Sequence, residues 1–194
     1  MNRARTFDPS TALGQVTDLF AAKGYAETSM EDIVQATGVS RYGLYGTFGN
    51  KRELFEQALE QYAEGMGKRS FLRLLEPGAS LGHIHGIFAE RVADICSAEH
   101  NKGCLFIHTA MELAPQDEEL RGVLQRFMKR MSKAFSIGLD SAKGRGEVAA
   151  DLDVETAGDM LTSTMFGLAV LGRTGFPKKA LEAIVESTID GLRP

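Results

Sequence analysis

Ser40-Arg41-Tyr42-Gly43-Leu44-Tyr45-Gly46-Thr47-Phe48-Gly49-Asn50-Lys51 is the stretch whose reading decides the fold. Glycine recurs at 43, 46 and 49, with another at Gly38. Each glycine inside a helix costs roughly 1 kcal/mol against alanine, so propensity alone makes this segment a loop. Its neighbours say otherwise. Ser29 is a good N-cap, with Glu31 and Asp32 in the first turn after it and Ile33 and Val34 beyond. Gly38 closes that short helix. Asn50 is a second cap, with Glu53 three residues on as in a capping box. Two short helices, 29–37 and 40–48, joined by a glycine turn make a helix-turn-helix, whose second helix enters a DNA major groove. Val39, Leu44 and Phe48 share one side of that helix and supply the packing that propensity lacks. Arg41, Tyr42, Gly43 and Tyr45 face outward. Gly43 and Gly46 then have two readings: backbone pressed close to DNA, or close helix–helix packing.

Working outward, the spacing predicts an all-α chain of about nine helices. Leu13, Val16, Leu19 and Phe20 mark the helix before Gly24. Leu54, Phe55, Ala58, Leu59 and Tyr62 mark the helix after Asn50. Leu81, Ile84, Phe88, Val92 and Ile95 mark another, and "AEHNKG" breaks it. A helix around Cys104–Leu113 ends before Pro115, and Leu120, Val123, Leu124, Phe127, Met128, Met131 and Phe135 make a strong stripe. Helices at 154–173 and 178–191 finish the chain. No period-2 strand pattern and no repeat is visible.

Charge is uneven. Residues 1–52 carry a net +1, and the remainder carries −5 of the total −4. The N-terminal segment is therefore the surface suited to phosphate. Two cysteines are too few for a disulfide framework. No apolar run approaches ~20 residues and the N-terminus lacks a signal-peptide core, so a cytoplasmic protein without membrane contact is expected.

The run "TALGQVTDLFAAKGYAETSMEDIVQATGVSRYGLYGTFGNKRELFEQAL", from Thr11 to Leu59, resembles the DNA-binding domain of the TetR/AcrR family of transcriptional regulators. The family's pattern of Gly-Val-Ser, Leu-Tyr, Phe and Lys stands here as Gly38-Val39-Ser40, Leu44-Tyr45, Phe48 and Lys51. The resemblance implies a reader at 1–55 and a helical effector-binding and dimerisation domain at 56–194. It implies a homodimer built on 154–173 and 178–191, and a repressor that leaves double-stranded operator DNA when a small molecule binds. Tyr45 and Lys51 match phosphate-gripping positions. Thr28 and Ser29 would meet the backbone, Ser40 and Gly43 would belong to the same DNA-contacting set, and Arg41 and Tyr42 would reach base edges. Tyr42 stands where a small residue is frequent and Gly46 where His is frequent, so no relative's operator can be borrowed.

Beyond the reader, "KGCLFIHTAMELAP" resembles a subgroup with a Gly-Cys-Leu run opening the middle helix. Some relatives with a cysteine near there sense electrophiles or oxidants. Cys104, after Lys102 and near a helix start, would suit a redox-sensing repressor, and a small buried hydrophobe is the competing reading. Cys96 lies in an apolar stripe. Candidate effector-lining residues are Phe88, Cys104, Phe106, Met111, Phe127, Met131, Phe135 and Phe166. Their chemistry points to a hydrophobic or aromatic effector. His83 and His85 are two apart on a helix and make a poor metal pair, and Gly103 interrupts His100 and Cys104. No metal, cofactor or catalytic constellation is expected, which leaves an all-helical enzyme or carrier as a distant alternative.

Overall fold

Caps decide where the helices of this computed structural model begin and end. The structure describes residues 7–67, 71–97 and 103–194. Nine α-helices and no strand occur among the described residues. α1 spans Pro9–Lys23, α2 Met30–Thr37, α3 Arg41–Phe48, α4 Lys51–Met66 and α5 Leu81–Cys96. α6 spans Leu105–Glu112, α7 Glu118–Lys143, α8 Val154–Arg173 and α9 Lys178–Asp190. A 3-10 turn, Leu72–Leu74, precedes α5. The chain is thus all-α, as its periodicity predicts. Most of the "AEHNKG" break, His100 included, lies outside the described residues.

The cap chemistry is explicit. Asp8 accepts the Thr11 N–H at 2.9 Å ahead of Pro9 at the start of α1. Asn50 Oδ1 accepts the N–H groups of Arg52 and Glu53, and Glu53 accepts the Asn50 N–H at 2.7 Å. That is the reciprocal capping box the sequence suggests. Ser80 starts α5 with the same device, but its partner is His83 Nδ1, 3.1 Å from the Ser80 N–H. His83 is therefore spent on a cap, while His85 Nε2 lies 2.8 Å from Glu186 of α9.

The helices gather into two compact units. The first is Met1–Gly65 with Lys102–Arg121. Its core is an aromatic triangle in which Phe20 and Tyr25 each meet Phe55 with ring centroids 5.0 Å apart. α6 packs on α1 in this unit, although 81 residues separate Leu105 from Gly24 in sequence. The second unit is Met66–Asn101 with Gly122–Pro194. There α5 packs against α8 and α9, and α8 packs on α9. Leu161, Met165 and Leu168 of α8 and Leu181, Val185 and Ile189 of α9 are buried within it. Met160 and Val170 of α8 remain exposed.

Candidate nucleic-acid interface

The two-helix frame is built from short-range polar contacts. Ser29 Oγ accepts the Asp32 N–H at 3.0 Å and Asp32 Oδ2 accepts the Ser29 N–H at 2.8 Å, which fixes the start of α2. Lys23 Nζ sits 2.9 Å from Asp32 Oδ1. The Lys23 contact, then the Ser29 hydrogen bonds, hold the Asp32 carboxyl far below the usual carboxylate range. α2 ends at Gly38 with φ 66°, a left-handed conformation that side chains resist. Ser40 then caps α3 by accepting the Gly43 N–H at 3.2 Å.

This frame turns α3 so that Val39, Leu44 and Phe48 are buried. Arg41, Tyr42, Tyr45 and Gly46 are exposed, Tyr42 at 87% and Tyr45 at 43%. An 87% exposed tyrosine next to a buried core has no use in packing. Arg41 Nη1 lies 3.0 Å from Glu31 Oε1 of α2, a surface pair that holds the guanidinium across the groove between the two helices. An open depression lined by Phe48, Gly49, Glu53, Glu56, Gln57 and Glu60 borders the far end of α3. Its three carboxylates make that end of the helix unfavourable for phosphate.

The glycines divide differently from the simplest expectation. A Cβ on Gly46 would meet nothing within 4 Å, so the packing reading fails there within the described chain. A Cβ on Gly43 would lie 3.1 Å from Val39 Cγ1 and 3.3 Å from Ser40 Oγ. Gly43 is half-buried against its own turn, and Gly46 is the open position.

Thr28 departs from its expected role. It is fully buried, and its hydroxyl donates to the Gly24 carbonyl at 2.6 Å. Its side chain is consumed in bracing the α1–α2 corner, so only Ser29, which is exposed, is left at that end to meet a backbone. Lys51 is also partly engaged. Its Nζ donates to the Tyr25 carbonyl at 2.6 Å and lies 4.2 Å from the Tyr25 ring centroid. Burial lowers its pKa below the ordinary lysine value, against the opposing charges of Glu112 and Asp32.

Sequence reasoning missed the residue that ties α6 to this corner. Glu112 Oε2 accepts the N–H groups of Tyr25 and Ala26 at 3.0 and 3.1 Å, and its Oε1 lies 3.0 Å from His108 Nδ1. No local pattern signals a contact made across 87 positions. Arg52 similarly reaches Asp117, Nη1 to Oδ2, at 2.5 Å.

The candidate effector residues fall in both units. Phe88, Phe127, Met131 and Phe135 are buried in the second unit, where Phe166 is half-buried. Phe135 stacks on Phe88 at 5.7 Å and meets Phe71 edge-on at 5.3 Å. Cys104 and Phe106 are buried in the first unit, with Phe106 5.2 Å from Tyr62. Met111 is 76% exposed and lines no interior space in this structure. Cys96 is exposed at the end of α5 in spite of its apolar stripe, and Cys104 is buried.

A frame of this kind, carrying an unpacked polar and aromatic face, defines a helix-turn-helix DNA-binding regulator. The family model "Bacterial regulatory proteins, tetR family" matches residues 17–58, and "Tetracyclin repressor-like, C-terminal domain" matches 81–188. The chain belongs to the TetR family of bacterial transcriptional regulators. It is 32% identical over 193 residues to YezE, an uncharacterized HTH-type transcriptional regulator of Bacillus subtilis strain 168, covering 99% of this chain and all of YezE. It is 26% identical over 188 residues to the HTH-type transcriptional repressor ComR of Escherichia coli K12, covering 96% and 90% of the two chains. Among solved structures, a cysteine mutant of the TetR-family regulator CifR, complexed with 26-bp double-strand operator DNA, is 30% identical with TM-score 0.84. That match covers 97% of this chain and 98% of CifR. No described helix is long and apolar enough to cross a membrane.

Proposed function

We propose that this regulator is a repressor that binds a near-palindromic operator as a homodimer and is released by a small effector with an apolar or aromatic body. Residues 1–55 are the reading part and 56–194 the effector and dimerisation part, acting in the cytoplasm where operator DNA lies. The observation that carries the reading is the outward face of α3. Arg41, Tyr42 and Tyr45 stand exposed on a frame whose every cap is satisfied, with Gly46 open between them and the end of the helix. In this reading Arg41 and Tyr42 contact base edges, while Ser29, Tyr45 and Lys51 contact phosphates. Ser40 and Gly43 set the helix start.

Two further observations support it. Exposed Met160 and Val170 give α8 an apolar outer face beside its buried one, as a helix pairing with a second copy needs. α6 delivers Glu112 to the Tyr25 corner, so a displacement of α6 is felt directly by the reader. Effector coupling would use differential affinity for two arrangements, typically ~1–3 kcal/mol.

The test is selection of binding sites from random duplex DNA, followed by light scattering of free protein. The expected result is an inverted repeat with half-sites about one DNA turn apart or wider, roughly 34–36 Å at the minimum. A monomer at micromolar concentration, or no enriched sequence, would overturn the reading.

A further inference from the structure

One stripe of α5 runs Leu81, Ile84, Phe88, Arg91, Ile95, at alternating steps of three and four residues. Four of the five are apolar and buried. The other is a guanidinium. Such spacing is the inward seam of a helix, where a cation is costly unless it is paired. Arg91 is half-buried, and its Nε is shielded from solvent with no hydrogen-bond partner. No ion pair involves it among the described residues. The acids on the same helix do not serve it. Glu90 is engaged by Arg73 Nη2 at 2.6 Å, and Asp94 is exposed. Arginine cannot escape by losing its proton, as a buried lysine would.

The surroundings along the stripe are apolar on both sides. One turn before Arg91, Phe88 is fully buried and stacks on Phe135 of α7. One turn after it, Ile95 seats against Gly172 of α8, where a Cβ would come within 2.0 Å of Ile95 Cγ2. Arg91 thus lies between a ring pair and a tight helix crossing, with its Nε shielded and unpaired and no ion pair to the guanidinium among the described residues. That combination suits an amphiphile: an apolar body along the seam beside Arg91, and an oxyanion for the guanidinium.

The geometry points to Arg91 as the anion-binding residue of the effector site, and to a small carboxylate with an aromatic or aliphatic body as the effector class. The inference rests on the effector-released reading above and narrows it from apolar compounds to apolar acids. The fork of guanidinium N–H groups matches the two oxygens of a carboxylate, and charge-assisted pairs of this kind are about twice as strong as neutral ones. A neutral isostere would leave the guanidinium unpaired while displacing its water, so the acid is preferred over the amide.

The test uses the full-length chain, without DNA, in thermal shift and calorimetric titration. The probes are 2-naphthoate, 4-phenylbutyrate and decanoate, each against its primary amide. At least one acid is expected to bind wild type roughly 10- to 100-fold tighter than its amide. Arg91→Met should erase that preference, and Arg91→Lys should keep part of it. In the absence of probe, Arg91→Met should melt no lower than wild type, because it removes an unpaired charge from an apolar seam. Acid and amide binding equally to wild type, or the preference surviving in Arg91→Met, would overturn the proposal. So would a clearly lower melting temperature for unliganded Arg91→Met, since that marks a structural arginine. Binding of none of the six probes would also overturn it, and operator binding by the same preparation would then leave the regulator reading standing.

Discussion

Lys51 Nζ donates to the Tyr25 carbonyl at 2.6 Å while lying 4.2 Å from the centroid of the same residue's ring. One ammonium therefore fastens the start of α4 to the corner between α1 and α2. Glu112 holds the two N–H groups of that corner from the other side. The corner positions Ser29 and, through α2, the whole of α3. Lysine at 51 is a brace, and in the proposed reading also a phosphate contact, and the two roles make different demands on a substitution.

Lys51→Ala should weaken operator and random DNA alike, because neither a phosphate contact nor a brace reads sequence. The salt slope should fall by about 1 if the ammonium also meets a phosphate. The melting temperature should drop, as the Tyr25 carbonyl loses its donor. Gel shifts across a salt series and a thermal melt measure both. Loss of operator binding with random-DNA binding intact would count against the assignment.

Gly46 and Gly43 should respond in opposite ways. With nothing within 4 Å of a Cβ at Gly46, Gly46→Ala should raise stability by up to ~1 kcal/mol from helix propensity alone. Gly46→Leu should stay folded and lose operator binding, because its side chain meets only what docks on α3. Gly43→Leu should instead lower stability, since its first carbon already presses on Val39 Cγ1 at 3.1 Å. Paired melts and gel shifts decide it. Full operator affinity in a folded Gly46→Leu protein would end the close-approach explanation for the glycine-rich helix.

Those two glycines also mark where reading the sequence stops. Ser29 and Asn50 are legible as caps because a cap is a local event within three residues. Leu44 and Phe48 are legible as core because their spacing fixes one side of α3. What separates Gly43 from Gly46 is the course of the preceding turn, which brings Val39 and Ser40 against Gly43 and leaves Gly46 open, and residue spacing alone does not give that course. Thr28 looks like a second backbone-contacting residue until the Gly24 carbonyl is seen to take its hydroxyl. Glu112 is invisible for the same reason, its partners lying far back in the chain. Cys96 belongs to an apolar period that ends with the helix, so its last member falls outside the core. Arg91 is hidden by its own chemistry: a search for apolar residues passes over the one member of the seam that is charged.

Cys104 is buried at the start of α6, with no side-chain hydrogen bond in its cap position. A thiolate chemistry needs exposure that this site does not offer. Cys104→Ser should therefore cost stability by about 1–3 kcal/mol, from burying a hydroxyl without a partner. Electrophile treatment should leave operator release the same in mutant and wild type. Release by an electrophile in wild type that disappears in Cys104→Ser would instead establish the redox-sensing alternative.

Acid should unfold the first unit by a traceable route. Arg52 and the Leu120 N–H hold Asp117 below its ordinary value, and Lys23 and Ser29 hold Asp32 further below. Both folded-state values lie under the unfolded ones. Their stabilising contribution is complete above the unfolded carboxylate range, about pH 4, and is lost as pH falls toward the folded values. Melting temperature should be level from pH 7 to about 5 and decline below about 4. Asp32→Asn and Asp117→Asn should each flatten that decline. An unchanged acid slope in the double substitution would place the sensitivity elsewhere.

Arg41 offers the most direct test of which side chains read bases. It is exposed and paired with Glu31 at 3.0 Å across the groove between α2 and α3. Exposed pairs of this geometry contribute little to folding, so Glu31→Gln should leave the melting temperature within error. It should also free the guanidinium and remove a carboxylate from beside the DNA. Binding to random DNA should then strengthen, with discrimination between operator and random DNA reduced, because Arg41 loses the partner that fixes its direction. Arg41→Ala should cost ~1–3 kcal/mol on the selected operator and little on random DNA, with relaxed preference at one or two base pairs. Tyr42→Ala should do the same at a neighbouring pair. The double substitution of Arg41 and Glu31 closes the cycle: if Glu31 acts by aiming Arg41, its effect on discrimination should vanish once Arg41 is alanine. A Glu31 effect that persists in the Arg41→Ala background would mean that the carboxylate acts on DNA by repulsion alone.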